Sequence, residues 1–264
     1  MDGWTVAKSP DRAHDRRQDE MTVKERTFRR EQEASEAARS AADKVRGPRA
    51  VVMRRRRSDW SGEPRDPAEN AVWAAQREVI AAASESLAVH EHSSELVTMC
   101  DAIAERLGLG ERERACLISA AQVHDIGRVT MPPEVLSKKG PLSSSDWSLM
   151  CQHTVIGERI LRSVPEMFGL ARIVRSSHER FDGRGYPDGL RGIQIPLASR
   201  ILLCAEAFHA MQCQRPHRPA RSAATAVEEI RANAGSQFDP RVVEALEAVV
   251  AERDRPLWRR FSRL

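Results

Sequence analysis

Apolar residues recur at helical spacing along most of this chain, and that periodicity limits its fold more than any other feature. One such run ends at Gly108 and contains Leu96, Cys100, Ile103 and Leu107. No segment shows the strict alternation of apolar and polar residues that marks a half-buried strand. The sequence therefore predicts an all-α fold built as a multi-helix bundle.

Capping residues and helix breakers mark where the helices begin and end. Asp66-Pro67 is an expected N-cap with a first-turn proline, and Ser143–Ser145 provides another N-cap. The apolar spacing predicts helices around Val72–Leu87, Leu96–Leu107, Leu117–Ala121 and Trp147–Leu161, over residues 167–179, 197–212 and 222–233, and after Pro240.

Charge and composition divide the chain into a leader, a folded domain and a tail. Residues 1–66 hold 17 Lys and Arg against 13 Asp and Glu, whereas the remaining residues hold 25 of each. The leader ends in a stretch of Gly, Pro and Arg that is typical of a linker. We expect a basic, largely disordered or frayed-helical leader over residues 1–66, a domain over 67–254 and a basic tail over 255–264.

The run Arg54–Arg57 is the concentrated basic patch of the sequence. It could contact nucleic acid, an anionic membrane or a protein partner, although a solvated arm is the favoured interpretation. The neutral body argues against a nucleic-acid-binding domain.

The five cysteines are irregularly spaced and form no CxxC pair, which predicts reduced thiols packed on helix faces. No apolar run is long enough to span a bilayer, and the amino terminus lacks the apolar core of a signal peptide. A cytoplasmic protein without a transmembrane segment is expected.

Histidines are the candidate chemical groups. Five of the eight fall on or at the ends of predicted helices: His92, His124, His153, His178 and His209. A single histidine is more often a hydrogen-bonded or surface residue, but this set includes an adjoining Asp125 and precedes a glycine-rich loop. Imidazole with carboxylate suits Fe, Mn or Zn better than Mg or Ca, and the absence of a Cys cluster argues against a structural zinc site.

Three motifs carry a family resemblance: His-Asp-Ile-Gly-Arg at 124–128, His-Glu-Arg-Phe-Asp-Gly-Arg-Gly-Tyr-Pro at 178–187, and Gln-Phe-Asp-Pro at 237–240. Over about residues 85–247 the chain resembles the HD-GYP family of bacterial cyclic di-GMP phosphodiesterases, a branch of the HD phosphohydrolases. The resemblance implies a metal-dependent phosphodiesterase that hydrolyses cyclic di-GMP or a related phosphodiester by a metal-activated hydroxide.

The resemblance also implies the metal ligands. One ion would be surrounded by His92, His124, Asp125 and Glu206. His153 and His178 would serve a neighbouring ion, with Asp125 bridging the two, so that one or two ions, Fe or Mn, are expected. Asp125 is then the catalytic residue whose loss should be most damaging.

Substrate contacts are implied in the same way. Arg128 stands where the family usually has lysine and would face a phosphate oxygen as a catalytic and substrate-binding group, the alternative being a surface arginine. The loop residues Gly185, Tyr186 and Pro187 would approach the substrate, and Arg215 and Arg218 would line a phosphate pocket.

Several positions depart from the family pattern. Ser177 replaces the first of two paired histidines, and Glu206 replaces an aspartate. Ala88 stands where members with three metals carry a glutamate, so at most two ions are expected. His209, three residues after Glu206, is either a replacement nitrogen ligand or a partly exposed helix residue.

Three functions follow from this pattern. The first is an active phosphodiesterase on cyclic di-GMP or a related phosphodiester. The second is a degenerate, weak or inactive member that acts as a nucleotide- or protein-binding module. The third is an HD phosphohydrolase that acts on another nucleotide through one retained metal ion. The first is favoured.

Overall fold

The computed structural model describes residues 28–37, 39–40, 94–138, 140–214 and 219–253. No β-strand occurs in these ranges, where one isolated bridge joins Ala234 and Phe238. The prediction of an all-α fold is confirmed. We label the helices α1 (28–37), α2 (Ser94–Arg106), α3 (Glu111–Val123), α4 (Pro133–Leu136), α5 (Ser144–Arg162), α6 (Phe168–Arg175), α7 (Leu197–Gln212), α8 (Ala223–Ala232) and α9 (Pro240–Arg253).

Capping explains where several of these helices begin. At α5 the Ser143 hydroxyl accepts a hydrogen bond from the Asp146 amide at 3.2 Å, and the Asp146 carboxylate accepts one from the Ser143 amide at 3.0 Å. Both contacts satisfy amides that have no partner inside the helix. The Ser222 hydroxyl caps α8 by accepting from the Thr225 amide at 3.1 Å. The sequence-based N-cap at Ser143–Ser145 is thus confirmed at Ser143.

One helix is shorter than its predicted range. The prediction of a helix over 167–179 is wrong at its C-terminal end, because α6 ends at Arg175. The amides of Ser176 and Ser177 bond to the carbonyls of Arg172 and Val174, which closes the helix with a turn. His178 therefore begins a loop instead of ending a helix. The helix expected around Val72–Leu87 and its cap at Asp66-Pro67 lie outside the described residues.

The core consists of two clusters of buried apolar side chains that share α3. Leu117 of α3 belongs to a cluster with α2, α7, α8 and α9, and Ala120 belongs to a second cluster with α5 and α6. Each fully buried Leu or Ile contributes about 1.5–3 kcal/mol. Packing on both sides fixes α3, whose C-terminal end carries His124 and Asp125.

Cysteines fill part of these clusters. Cys100, Cys116 and Cys204 are buried on α2, α3 and α7, and none of the five cysteines forms a disulfide. The prediction of reduced thiols on helix faces is confirmed for four of the five cysteines, whereas Cys213 directly follows α7. Among the described residues, no helix has both the length and the apolar character needed to cross a bilayer.

Helix α1 belongs to the sequence segment that was expected to be a leader, and it packs on the second cluster. Its Ala34 is only 1% exposed. The Arg30 guanidinium donates to the Met131 carbonyl at 2.8 Å, and the Ser163 hydroxyl donates to the Ser35 carbonyl at 3.3 Å. Residues 28–37 therefore cover the domain next to the turn that carries Arg128.

Candidate metal centre

The His124-Asp125 pair lies where α3 passes into a short 3₁₀ helix, Ile126–Thr130. Gly127 makes this junction possible, because a Cβ there would lie 1.9 Å from the carbonyl oxygen of His153. Gly157, one turn further along α5, contacts the same junction through Ile126. The turn is therefore in backbone contact with α5, which brings Asp125 close to His153.

Two histidines are oriented by their own helices. His124 Nδ1 lies 2.9 Å from the Ala121 carbonyl oxygen, and His153 Nδ1 lies 2.6 Å from that of Met150. A proton on Nδ1 in each ring would be donated to that carbonyl, leaving Nε2 on the opposite side. Metal-ligating histidines characteristically donate their other ring N–H to such a partner.

Asp125 lies between the two rings. Its Oδ1 is 3.5 Å from His153 Nε2, and its Oδ2 is 3.7 Å from His124 Nε2. Asp125, His153 and His178 each offer one ligand atom, and these three atoms all lie within 4.8 Å of one another. The structure thus holds a cluster able to bind a metal ion. One oxygen of Asp125 faces this cluster and the other faces His124.

The second side of the site is an ion pair between His124 and Glu206 of α7, with Nε2 and Oε1 separated by 3.7 Å. Burial alone would lower the pKa of His124, but the neighbouring carboxylates Asp125 and Glu206 outweigh it and raise the pKa to about 9. Burial would raise the pKa of Glu206, but the neighbouring His124 imidazolium holds that pKa well below its ordinary value. Without metal, this side carries a protonated imidazole at neutral pH.

His153 and His178 have the opposite electrostatics. Burial lowers the pKa of His153 to about 4, and the adjacent His178 acts in the same direction. Burial also lowers the pKa of His178, against the raising effect of Glu206 and Asp125. Both rings are neutral at pH 7, the form that binds metal.

The donor set fits a divalent transition metal. The Nε2 atoms of His153 and His178 are buried and accept no hydrogen bond from the described residues. Buried polar atoms without a partner are costly in a folded protein, so an unmet ligand is the expected reason for them here. Two imidazoles with one carboxylate suit Fe, Mn or Zn and leave coordination positions open.

Arg128 lies at the rim of this cluster. Its guanidinium is 2.7 Å from Asp125 Oδ2, and its side chain is 38% exposed. It therefore combines an ion pair to the central carboxylate with access to solvent. An arginine at this point brings a permanent positive charge to the mouth of the site.

The loop after His178 folds back on the start of its own segment. A Cβ on Gly185 would lie 2.2 Å from the Arg180 amide nitrogen and 2.6 Å from the His178 carbonyl oxygen. Glycine is required here because the loop packs against itself. The Tyr186 amide donates to the His178 carbonyl at 3.2 Å, and the Tyr186-Pro187 bond is cis. Tyr186 and Pro187 are thereby held beside His178.

Glu179 is a loop-forming residue that the sequence did not single out. It is fully buried, and its carboxylate accepts the amides of Asp188 at 2.6 Å and Leu190 at 3.1 Å. Burial raises its pKa, and the Asp188 carboxylate adds to the shift. Its position directly after His178 in the motif was the available signal.

Aromatic rings connect the cluster to the surface. The ring centroids of His153 and His178 are 4.9 Å apart, those of His178 and Tyr186 are 5.2 Å apart and nearly parallel, and those of Tyr186 and Trp147 are 6.0 Å apart. The sequence predicted Trp147 only as an apolar position of a helix, whereas its side chain is 53% exposed.

Ser177 does not face the cluster as a ligand. Its side chain is fully buried, and its hydroxyl donates to the Val174 carbonyl at 2.8 Å. The hydroxyl therefore takes part in the turn that ends α6. A nitrogen ligand is missing at this position.

One predicted candidate, His209, is not part of the cluster. His209 has Nδ1 3.6 Å from Glu95 and Nε2 3.3 Å from the Cys213 sulfur, so its ring nitrogens face those groups and it does not join the cluster. His92, Arg215 and Arg218 lie outside the described residues.

The sequence of this chain is similar to a known family and to characterised proteins. Residues 76–242 match the family model described as HD domain. Over 146 residues the chain is 40% identical to the cyclic di-GMP phosphodiesterase response regulator RpfG of Xanthomonas campestris pv. campestris (strain 8004), covering 54% of this chain and 39% of that protein. Over 158 residues it is 38% identical to a cyclic di-GMP phosphodiesterase of Thermotoga maritima, covering 59% and 43%.

The chain thus spans about two fifths of the length of these curated relatives. Among solved structures, Bd1817, an HDG"Y"P protein from Bdellovibrio bacteriovorus, matches with a TM-score of 0.52 at 15% identity. That match covers 86% of this chain and 70% of Bd1817, and it supports the fold. The resemblance predicted from the motifs is confirmed, and this chain belongs to the HD domain family, with its relatives in the HD-GYP branch.

Proposed function

We propose that this protein is a metal-dependent phosphodiesterase that hydrolyses cyclic di-GMP or a related phosphodiester. The observation that carries the proposal is the convergence of Asp125, His153 and His178, whose ligand atoms lie within 4.8 Å of one another. The names of the two curated relatives, both cyclic di-GMP phosphodiesterases, support the substrate class.

Each side of the site has a proposed role. His153 and His178 would hold one divalent ion, and His92, His124 and Glu206 would hold a second, with Asp125 bridging the two. Fe or Mn is the proposed metal, in one or two ions. When bound, such ions lower the pKa of a coordinated water and neutralise phosphate charge.

The protein's own groups would bind and orient the phosphodiester. Arg128 would use its solvent-accessible guanidinium to hold a phosphate oxygen, and its bond to Asp125 Oδ2 keeps that charge beside the central carboxylate. Gly185, Tyr186 and Pro187 would form the wall next to His178. Arg215 and Arg218 would contact phosphate from a segment outside the described residues.

A metal and activity measurement tests the proposal. Protein purified without air should contain one or two Fe or Mn ions per chain and hydrolyse both cyclic di-GMP and a generic bis-aryl phosphodiester. Absence of turnover in protein with both ions bound would contradict it. Asp125→Ala should abolish the activity, and turnover that survives this change would disprove the mechanism.

The arrangement of Ser177 favours a second candidate function. Serine has no nitrogen ligand where the resemblance implies histidine, and its hydroxyl is bonded to the Val174 carbonyl, so the protein could be a nucleotide-binding member without turnover. One ion or none, with cyclic di-GMP bound intact, would support this function. In that case Ser177→His should create activity, whereas an active natural protein should change little.

The proposed organisation of the chain is a leader over 1–66, a catalytic domain over 67–254 and a basic tail over 255–264. The proposed location is cytoplasmic, which is supported by five cysteines that form no disulfide. The basic leader would offer a surface for a protein partner. Limited proteolysis of the full chain, followed by mass determination of the protected fragment, tests these boundaries.

A further inference from the structure

Trp147 is a large aromatic side chain that remains open to solvent beside the metal cluster. It lies in the first turn of α5, and 53% of its surface is exposed. Phe168 is exposed to a similar extent, 52%, at the start of α6. Single exposed aromatic residues occur on many proteins, so exposure alone does not indicate a site. The contacts of Trp147 are what distinguish it.

The indole of Trp147 is the outermost of four aromatic rings that contact one another in a row. Trp147 contacts Tyr186 edge to face, with an interplanar angle of 81° and centroids 6.0 Å apart. Tyr186 is stacked on His178 at 17° and 5.2 Å, and His178 contacts His153 at 4.9 Å. The row of rings begins at His153, a fully buried residue of the metal cluster, and ends at the solvent-exposed indole of Trp147.

The backbone of α5 fixes the distance between the first and the last ring of this row. Trp147 and His153 both lie on α5 and are six residues apart, which corresponds to a rise of about 9 Å along the helix axis. Both residues pack around Tyr186, since the centroids of His153 and Tyr186 are 6.4 Å apart. The distance between the indole and the metal cluster is therefore set by helix α5 and by the loop residue Tyr186.

This spacing suits a nucleotide. A phosphodiester held at Asp125, His153 and His178 would place a base one ribose away from the reacting phosphate, a separation comparable to the rise of about 9 Å between His153 and Trp147. Aromatic side chains bind bases through stacking, which tolerates any base because each presents a flat face. The contact with Tyr186 orients the indole but leaves about half of its surface available.

We propose that Trp147 forms a stacking platform for one purine base of the substrate, an inference that rests on the cyclic dinucleotide phosphodiesterase function proposed above. Trp147 then acts in substrate binding and does not touch the reacting atoms. Its loss weakens binding of nucleotides more than binding of small phosphodiesters, and it affects KM more than kcat.

The test compares Trp147→Ala and Trp147→Phe with the matched control Phe168→Ala. Base stacking removed by alanine corresponds to about a tenfold change in affinity. We expect Trp147→Ala to raise the KM for cyclic di-GMP about tenfold with kcat within about twofold, and Trp147→Phe to restore most of the affinity. Phe168→Ala should leave both parameters unchanged. With a generic bis-aryl phosphodiester, Trp147→Ala should have a smaller effect.

A binding measurement separates failure of this inference from failure of the proposed function. Calorimetric titration with cyclic di-GMP should give weaker binding to Trp147→Ala than to the natural protein whether or not turnover occurs. Quenching of tryptophan fluorescence by the ligand should be reduced in Trp147→Phe. Equal affinities for the natural protein and Trp147→Ala, or no binding to either, would overturn the stacking role. Turnover with equal KM values would overturn it while leaving the phosphodiesterase function intact.

Discussion

The two sides of the metal centre share Asp125 but differ in protonation. On the side of His153 and His178, burial dominates and both imidazole pKa values are lowered, that of His153 to about 4. On the side of His124 and Glu206, two carboxylates outweigh burial and raise the imidazole pKa to about 9. The first side offers neutral nitrogen donors at pH 7, whereas the second already holds an internal ion pair.

If both sides bind metal as proposed, the same residue types form a stronger and a weaker metal position within one site. A metal ion at the first side meets ligands in the correct protonation state. At the second side it must displace a proton from His124 before it can bind. Ser177, next to His178, offers no nitrogen ligand to the first side, which offsets part of this difference. We therefore expect the two ions to bind with unequal affinities.

The largest effect is expected from replacing Asp125, the residue that both sides of the centre share. Asp125→Asn should lower turnover about a thousandfold or more, because a bridging carboxylate contributes several kcal/mol to metal and charge stabilisation. The measurement is the initial rate of cyclic di-GMP hydrolysis at saturating metal. Asp101→Asn is the control, since Asp101 pairs with Arg114 away from the site. A folded Asp125→Asn protein with near-normal turnover would contradict a bridging role.

The second prediction concerns substitutions of ligands that belong to only one side of the centre. His178→Gln should weaken the tighter metal position at least about 100-fold, since a first ligand is worth no less than the outer partners that cost 10–100-fold. His124→Gln should affect the weaker position and leave the tighter one in place. Metal titration monitored by calorimetry at pH 7 measures both.

His209→Gln is the matched control for these variants, because its ring faces Glu95 and Cys213. If His124→Gln removed both ions, the two sides would be a single cooperative site and the comparison would fail.

A change of pH should alter the metal affinity of the side formed by His124 and Glu206 and leave that of the other side unchanged. The pKa of His124 lies above its ordinary value, so a proton competes with metal there below about pH 9. Affinity at the weaker position should therefore rise with pH, by up to about tenfold per unit between pH 7 and 9. The tighter position should change little, because the pKa values of His153 and His178 are lowered. Metal titrations at three pH values measure this, and equal slopes at both positions would contradict it.

The smallest expected effect concerns Ser177. Ser177→Ala should change turnover by less than about twofold, because the hydroxyl is bonded to Val174, and should lower the free energy of unfolding by about 1 kcal/mol. Ser199→Ala is the control, since that buried hydroxyl donates to the Ile173 carbonyl at 2.9 Å. Chemical denaturation measures both losses. A large loss of metal in Ser177→Ala alone would mean that the hydroxyl is a ligand.

The sequence was sufficient to predict the helices because their apolar spacing and caps are local signals. Ser143 capped α5 as predicted, and α7 covers the predicted range 197–212. The end of α6 was not predictable in this way, because Ser176 and Ser177 have no strong breaking tendency and the turn is closed by backbone bonds.

The chemistry was predictable in kind but not in electrostatics. The ligand types at Asp125, His153 and His178 follow from the motif, and their grouping is visible in the structure. The pKa of His124 is raised by its neighbour Asp125 and also by Glu206, 82 positions along the chain, and no local pattern reveals the second contribution. Trp147 was hidden for a similar reason, because its apolar position in α5 is equally consistent with a core residue until its contact with Tyr186 is known.

Gly127 has a consequence for the energetics of metal binding. Since this residue lets the backbone of the His124-Asp125 turn touch the His153 carbonyl, the relative positions of Asp125 and His153 are fixed by main-chain packing. The entropy of bringing these two ligands together is therefore lost when the helices fold, and little of it remains to be lost when an ion arrives. The centre is preorganised, and its affinity for metal depends on the stability of the contact between this turn and α5.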